Sequence, residues 1–321
     1  VGIGSVKIPV DSFVRLSRIL LMSAEADVPN ELTGTLLILR DIRAPRVLVS
    51  LVIGATLGVC GAAMQGIFRN PLASPYLLGV ASGANMGAAL SIVLGVSGLL
   101  SGLGLPIGAF LGGLLAVSTV YGLSQARITG EASNTLILAG VALGALFTAV
   151  TSFLVFLSGS QMVEIIIWMM GSMGRGGWEE LAWLTPVGVL GSALLIYRAS
   201  DLNALALGDM GAHHLGIAPE RTRRRIAGTV TVMTAAAVAV SGTIGFVGLV
   251  TPHAVRLIAG PDHRLLLPAS ALAGALFLLV ADTVARTILS PVELPVGIIT
   301  AVLGAPFFLY LLIHRSGGRI R

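Results

Sequence analysis

APRVLVSLVIGATLGVCGAAMQG (44–66) decides the reading: its only charged residue is Arg46, near its start. At ~1.5 Å of rise per residue, a helix of this length crosses the ~30 Å hydrocarbon core of a bilayer. Comparable apolar stretches follow at about 78–96, 103–125, 133–157, 180–198, 223–243, 246–259, 265–288 and 296–314, which makes about nine spans. The chain therefore reads as an all-α, polytopic membrane helix bundle. The stretch 246–259 is too short to cross alone in regular form. It reads as a half-helix entered through extended backbone at SGTIG (241–245), an arrangement tolerated only in a protein-lined environment. Residues 161–176, with their Trp and Met, suit a short interfacial helix.

Composition supports this. Hydrophobic residues make up 55% of the chain and charged ones 11%, with a mean hydropathy of +0.94, whereas about 25% charged is usual for soluble domains. Gly occurs 41 times in 321 residues and recurs four apart inside apolar runs, at Gly54/Gly58, Gly79/Gly83/Gly87, Gly108/Gly112 and Gly140/Gly144. Small residues at that spacing let helix backbones approach closely, as a tight bundle requires.

Several chemistries are excluded or disfavoured. Lys7, the only lysine, follows Val6, so the Gly-Lys-Ser/Thr of a phosphate-binding loop is absent and the chain hydrolyses no ATP by that route. Cys60, the only cysteine, rules out internal disulfides and thiolate metal sites, and reads as a small packing residue. The five His show no metalloprotease spacing, and adjacent His213 and His214 point in different directions on a helix, so no metal site is assigned. The arginines sit in turns between apolar stretches without interleaved aromatics, which argues against nucleic acid.

Arginine placement gives orientation. With a cytoplasmic C-terminus, Arg69, Arg127, Arg198, the 221–225 run, Arg256, Arg264 and the tail lie inside, twelve of the twenty basic residues. The chain then divides into an external segment at 1–42 with an amphipathic helix near 11–22, a transmembrane domain at 43–315 and a cytoplasmic tail at 316–321. Nine crossings leave Val1 outside without a signal sequence, so one further N-terminal span is expected to precede it. Cys60-Gly61 before Pro71 and Ser241-Gly242 before Pro252 share one interval, a weak echo of the inverted repeats found in transporters.

Four strings carry a resemblance: RNPLASPYLLGVASGA (69–84), SGTIGFVGLVTPHAVRLIAGPDHRLLLPASALAGA (241–275), ADTVAR (281–286) and ELPVGIITAVLGAPFFLYLL (293–312). Together they strongly resemble the FecCD-type permeases, the membrane subunits of ATP-binding-cassette importers for vitamin B12, haem and ferric siderophores. The resemblance implies ten helices per subunit, a homodimer, two cytoplasmic ATPase subunits that hold ATP-Mg, and a periplasmic or extracellular substrate-binding protein. It implies no cofactor on this chain and places it in the inner or cytoplasmic membrane. The family's first helix has no counterpart ahead of GSVKIP (4–9).

The resemblance also assigns residues. Short helices within 201–220, with Leu207, Gly208, Asp209, Ala212, Leu215 and Gly216, are expected to rest in the ATPase and transmit its closure, with Gly211 and Gly216 as the breaks. Arg43, Arg46 and Arg286 are expected to grip carboxylates of the binding protein, although Asp282 could pair with Arg286 within the helix. Asn70, Leu72, Ser133 and Asn134 fall where the family places its cytoplasmic gate. Pro71 is expected to end the preceding helix and Ser133 or Asn134 to cap the next. An ion-coupled secondary transporter is the alternative and would need Asp282 or Glu164 as its ion-binding group. An intramembrane enzyme lacks any Ser-His pairing or carboxylate cluster at depth.

Overall fold

The computed structural model describes residues 11, 30–99, 102–125 and 132–316. Among the described residues there is no strand; thirteen α-helices, three short 3-10 or π turns and their connections make up the fold. In chain order the helices are α1 (Asn30–Leu37), α2 (Ala44–Ile67), α3 (Val80–Val93), α4 (Gly104–Gln125), α5 (Ala132–Leu157) and α6 (Met162–Met169). They continue with α7 (Trp178–Tyr197), α8 (Ala199–Ala206), α9 (Asp209–His214), α10 (Pro219–Ser241), α11 (Val247–Ala259), α12 (His263–Thr287) and α13 (Val296–Ser316). Each expected span has its helix. Five meet both length and apolarity for crossing a bilayer, and α3, α11 and the described part of α13 are shorter apolar helices. α10 is long enough, but its first turns carry Glu220, Arg221 and Arg223 to Arg225.

The boundary expected at 42/43 is not a break. α1 runs through a π-turn at Ile38–Arg43 into α2, so that Leu32–Ile67 is one helix of 36 residues. Pro45 sits in the first turn of α2 and has no N–H to donate, and Arg40 O, one π-turn earlier, accepts from Trp178 Nε1 at 3.1 Å. The amphipathic helix expected near 11–22 and the tail from 317 lie outside the described residues.

Two helices form the centre. α2 is buried almost throughout from Ile53 onward, and α10 is buried continuously from Met233 to Ser241. Glycine sets how close the neighbours come. A Cβ on Gly54 would overlap Gly274 O of α12, one on Gly58 would overlap Ser270 O, and one on Gly61 would overlap Gly248 O of α11. α3 and α4 cross in the same way through Gly83 and Gly87 against Gly112 and Gly108. The four-residue glycine spacing thus marks backbone-to-backbone crossings, where dispersion rather than apolar transfer holds helices together in lipid. Cys60 is fully buried, with Sγ 3.9 Å from Met233 Sδ, as a packing residue should be.

Several buried hydroxyls inside this bundle are satisfied within their own helix. Thr151, Thr231, Thr251 and Ser241 each donate to the carbonyl four residues earlier, at 2.7–2.9 Å. The break between α10 and α11 is as the sequence implies: 242–245 is non-helical, Gly242 has φ +67 and Phe246 caps α11 at φ +67. Its freed groups find partners, since Tyr76 Oη donates to Ile244 O at 2.9 Å and Ser172 N donates to Ser241 O at 2.8 Å. Residues 161–176 form α6 and an irregular return, packed against this break through Gly171 and Trp168.

Candidate functional site

One end of the bundle carries Arg69, Arg198, the 221–225 run, Arg256 and Arg264 together with α8 and α9. At this end the expected short helices exist, but the break falls at Gly208, with φ +93, and not at Gly211, which lies within α9. Gly208 frees the chain to turn because positive φ costs it nothing. Gly216 closes α9 at φ +77, as expected. Ala212 is fully buried, while Leu207, Met210 and Leu215 are exposed.

Both helices are pinned to the membrane helices. α8 is tied to the start of α12: Asn203 Nδ2 donates to Asp262 Oδ1 at 2.6 Å, His263 N donates to Asn203 Oδ1 at 2.9 Å, and Arg264 Nη2 donates to Ser200 Oγ at 3.2 Å. α9 is tied to α10, where Arg223 Nη1 donates to Asp209 Oδ2 at 2.9 Å and Nη2 to the other carboxylate oxygen. That hydrogen bond holds the Asp209 carboxyl below its ordinary value of 3.8. Sequence reasoning passed over Asn203 and Arg223; the first sits in an unremarkable ALA-rich run and the second inside three consecutive arginines, where nothing distinguishes one from another.

The turn expected to form the gate follows α2. Pro71 does not end that helix: α2 stops at Ile67 through a Schellman turn, with Asn70 N donating to Gln65 O, Arg69 N to Gly66 O, and Arg69 left-handed at φ +49. Asn70 Oδ1 then accepts from Leu72 N at 2.9 Å, and Leu72 is exposed. The 3-10 turn at Pro75–Leu78 leans on α5, since a Cβ on Gly140 would meet Leu77 O. Ser133 and Asn134 fall in the first turn of α5, and their side chains lie outside the described residues.

At the opposite end Arg43, Arg46 and Arg286 come together, but not on an open surface: they are 5%, 8% and 4% exposed. Arg46 donates to Asp282 Oδ1 through Nη2 at 2.9 Å and to Glu293 Oε2 through Nη1 at 2.8 Å, and Arg286 Nε lies 3.1 Å from Asp282 Oδ2. The Asp282–Arg286 pair weighed as the alternative to docking is present within the helix, and Arg46 shares the same carboxylate. Ion pairing inside the subunit engages Arg46 and Arg286, because a carboxylate as buried as Asp282 needs cationic partners. Glu164, exposed, pairs with Arg175 at 3.0 Å.

A membrane bundle with a broken helix in its core, glycine-set crossings and a pair of short helices at its arginine-rich end narrows the comparison to transporters. A profile of the FecCD transport family matches residues 2–314. The chain belongs to that family. It is thus an ABC importer permease, a multi-pass membrane protein and not itself an enzyme, of a kind that works with ABC ATPase and substrate-binding partners. The cobalamin import system permease protein of Halobacterium salinarum is 47% identical over 279 residues, covering 87% of this chain and 74% of that protein. The hemin transport system permease protein of Yersinia pestis is 43% identical, covering 87% and 84%. Among solved structures, a metal-chelate-type ABC transporter in an inward-facing conformation superposes with a TM-score of 0.81 at 34% identity, covering 96% of this chain and all of that one. Among the described residues, no group of three His, Cys, Asp or Glu could hold a metal ion.

Proposed function

We propose that this permease works as a homodimer with two ABC ATPase subunits at its arginine-rich, cytoplasmic end. A substrate-binding protein at the opposite face would deliver an iron-siderophore, haem or corrinoid for import through the cytoplasmic membrane. The observation that carries this reading is the α8–α9 pair, with Leu207, Met210 and Leu215 exposed next to Asp209 and pinned to α10 and α12. A moving ATPase needs a rigid, apolar handle, and these helices supply one. ATP-Mg would be held by that partner, consistent with the absence of a phosphate-binding loop here. An ion-coupled carrier is less well supported, because the two carboxylates it would use, Asp282 and Glu164, are both engaged with arginines.

The test is to purify the chain from its native membrane with whatever remains bound. A stoichiometric ATPase and a tetrapyrrole, corrinoid or iron chelate on an accompanying binding protein support the proposal. Uptake that proceeds without ATP and follows an ion gradient would overturn it.

A further inference from the structure

We infer that Arg223 is a positioning residue that links the coupling helix α9 directly to the gate turn after α2. The inference rests on the ATP-driven reading proposed above and adds to it the part through which motion passes.

Three elements converge on this one side chain. From the first turn of α10, its Nη1 and Nη2 hold both oxygens of Asp209, the first residue of α9, and its Nε donates to Ile67 O at 3.2 Å. Ile67 is the last residue of α2, and its carbonyl is among those a helix end leaves without an internal partner. A guanidinium placed there is favoured by the helix dipole as well. Two residues further on, Arg69 Nη2 lies 3.5 Å from Asp209 Oδ1. Asp209 is thereby held by two cations, one bonded to the end of α2 and one belonging to the turn itself. Asn70 and Leu72 follow immediately and are joined by their own hydrogen bond.

The two cations are not equal. The Arg223 side chain is 16% exposed and forked onto the carboxylate, whereas that of Arg69 is 48% exposed and more distant. Forked, partly shielded pairs hold geometry, and exposed single contacts contribute little. A displacement of α9 must therefore move Asp209, then Arg223, then Ile67 O and the gate turn, without passing through the length of a helix. Lysine at 223 would keep the charge but, as a single ammonium, could not span Asp209 and Ile67 O together with the fork.

The test uses the permease–ATPase complex in proteoliposomes with Leu72→Cys as reporter; the native Cys60 is buried and silent. The rate of labelling by a membrane-impermeant maleimide is read without nucleotide and with ATP plus vanadate, alongside the ratio of ATPase to permease. With Arg223 present, the rate should change at least fivefold. With Arg223→Lys the change should fall below twofold at an unaltered subunit ratio, while Glu220→Gln, which removes only the more exposed neighbour at 3.4 Å, should respond as the parent does. A full response in Arg223→Lys, or a response lost only together with ATPase binding, overturns the link. No response in the Leu72→Cys parent overturns the ATP-coupled reading and this inference with it.

Discussion

Arg46 and Asp282 meet across 236 positions of sequence, with Nε at 3.2 Å and Nη2 at 2.9 Å from the same carboxylate oxygen. The pair joins the start of α2 to the end of α12, and through Glu293 it also reaches the segment before α13. Removing one partner of a buried ion pair leaves an uncompensated charge, which costs about 3–5 kcal/mol. Asp282→Ala, which removes the buried carboxylate that Arg46 and Arg286 share, should destabilise the detergent-solubilised protein by that order. Glu293, with its side chain 39% exposed, is the outer partner, so Glu293→Gln should cost at most ~1 kcal/mol. Thermal unfolding of the two variants side by side checks the contrast.

How much of this was legible beforehand depends on the range over which each feature is specified. The break at 242–245 could be read from Gly242 and Gly245 beside an apolar run too short to span, and the interfacial segment from its length. Gly54, Gly58, Gly83 and Gly87 marked close crossings correctly, because a helix repeats its face every four residues. The helix stop at Ile67 was misread: proline is a visible terminator, whereas Arg69 in the left-handed region is an uncommon conformation for a residue with a Cβ and has no sequence signal. The break at Gly208 instead of Gly211 is of the same kind, since either glycine suits a turn and only packing chooses. Burial of Arg46 was invisible because its partners Asp282 and Glu293 lie far away in sequence, whereas the Asp282–Arg286 pair, four residues apart, could be read from the helix repeat.

The α2–α11 crossing makes a second prediction. Gly61→Ala places a methyl on the backbone at Gly248 O, which cannot swing aside as a side chain could. Overpacking of this sort costs about 1–3 kcal/mol. Gly228→Ala in α10 meets nothing within 4 Å and should be neutral, or stabilising by up to ~1 kcal/mol through helix propensity. Unfolding midpoints of both variants in the same detergent decide it.

The coupling helices make a third. Leu207 and Leu215 are 70% and 61% exposed, so Leu207→Asp with Leu215→Asp should leave the permease folded and reduce the ATPase recovered with it at least tenfold. Gly216→Pro alters the backbone where φ is +77, a value proline cannot adopt, and should abolish ATP-dependent uptake with the dimer retained. Co-purification and vesicle uptake separate the two effects. Unchanged uptake in Gly216→Pro would remove 201–220 from the coupling path.

The last prediction follows from Asp209. Its bond to Arg223 lowers the folded-state pKa beneath the ordinary 3.8. For a depressed carboxyl the folded state binds fewer protons than the unfolded one, so the contribution is fully present above the unfolded value and fades as pH falls through the folded one. The placement of α9 on α10 should therefore be insensitive to pH from neutrality down to about 5 and loosen only below roughly 4. Hydrogen exchange of the 209–217 amides, corrected for intrinsic rates, should show protection lost in that acid window. Asp209→Asn, which has no proton to take up, should already show the weaker protection at pH 7 and change little on acidification. Protection that already falls between pH 7 and about 5 in the unsubstituted protein would overturn the assignment to Asp209.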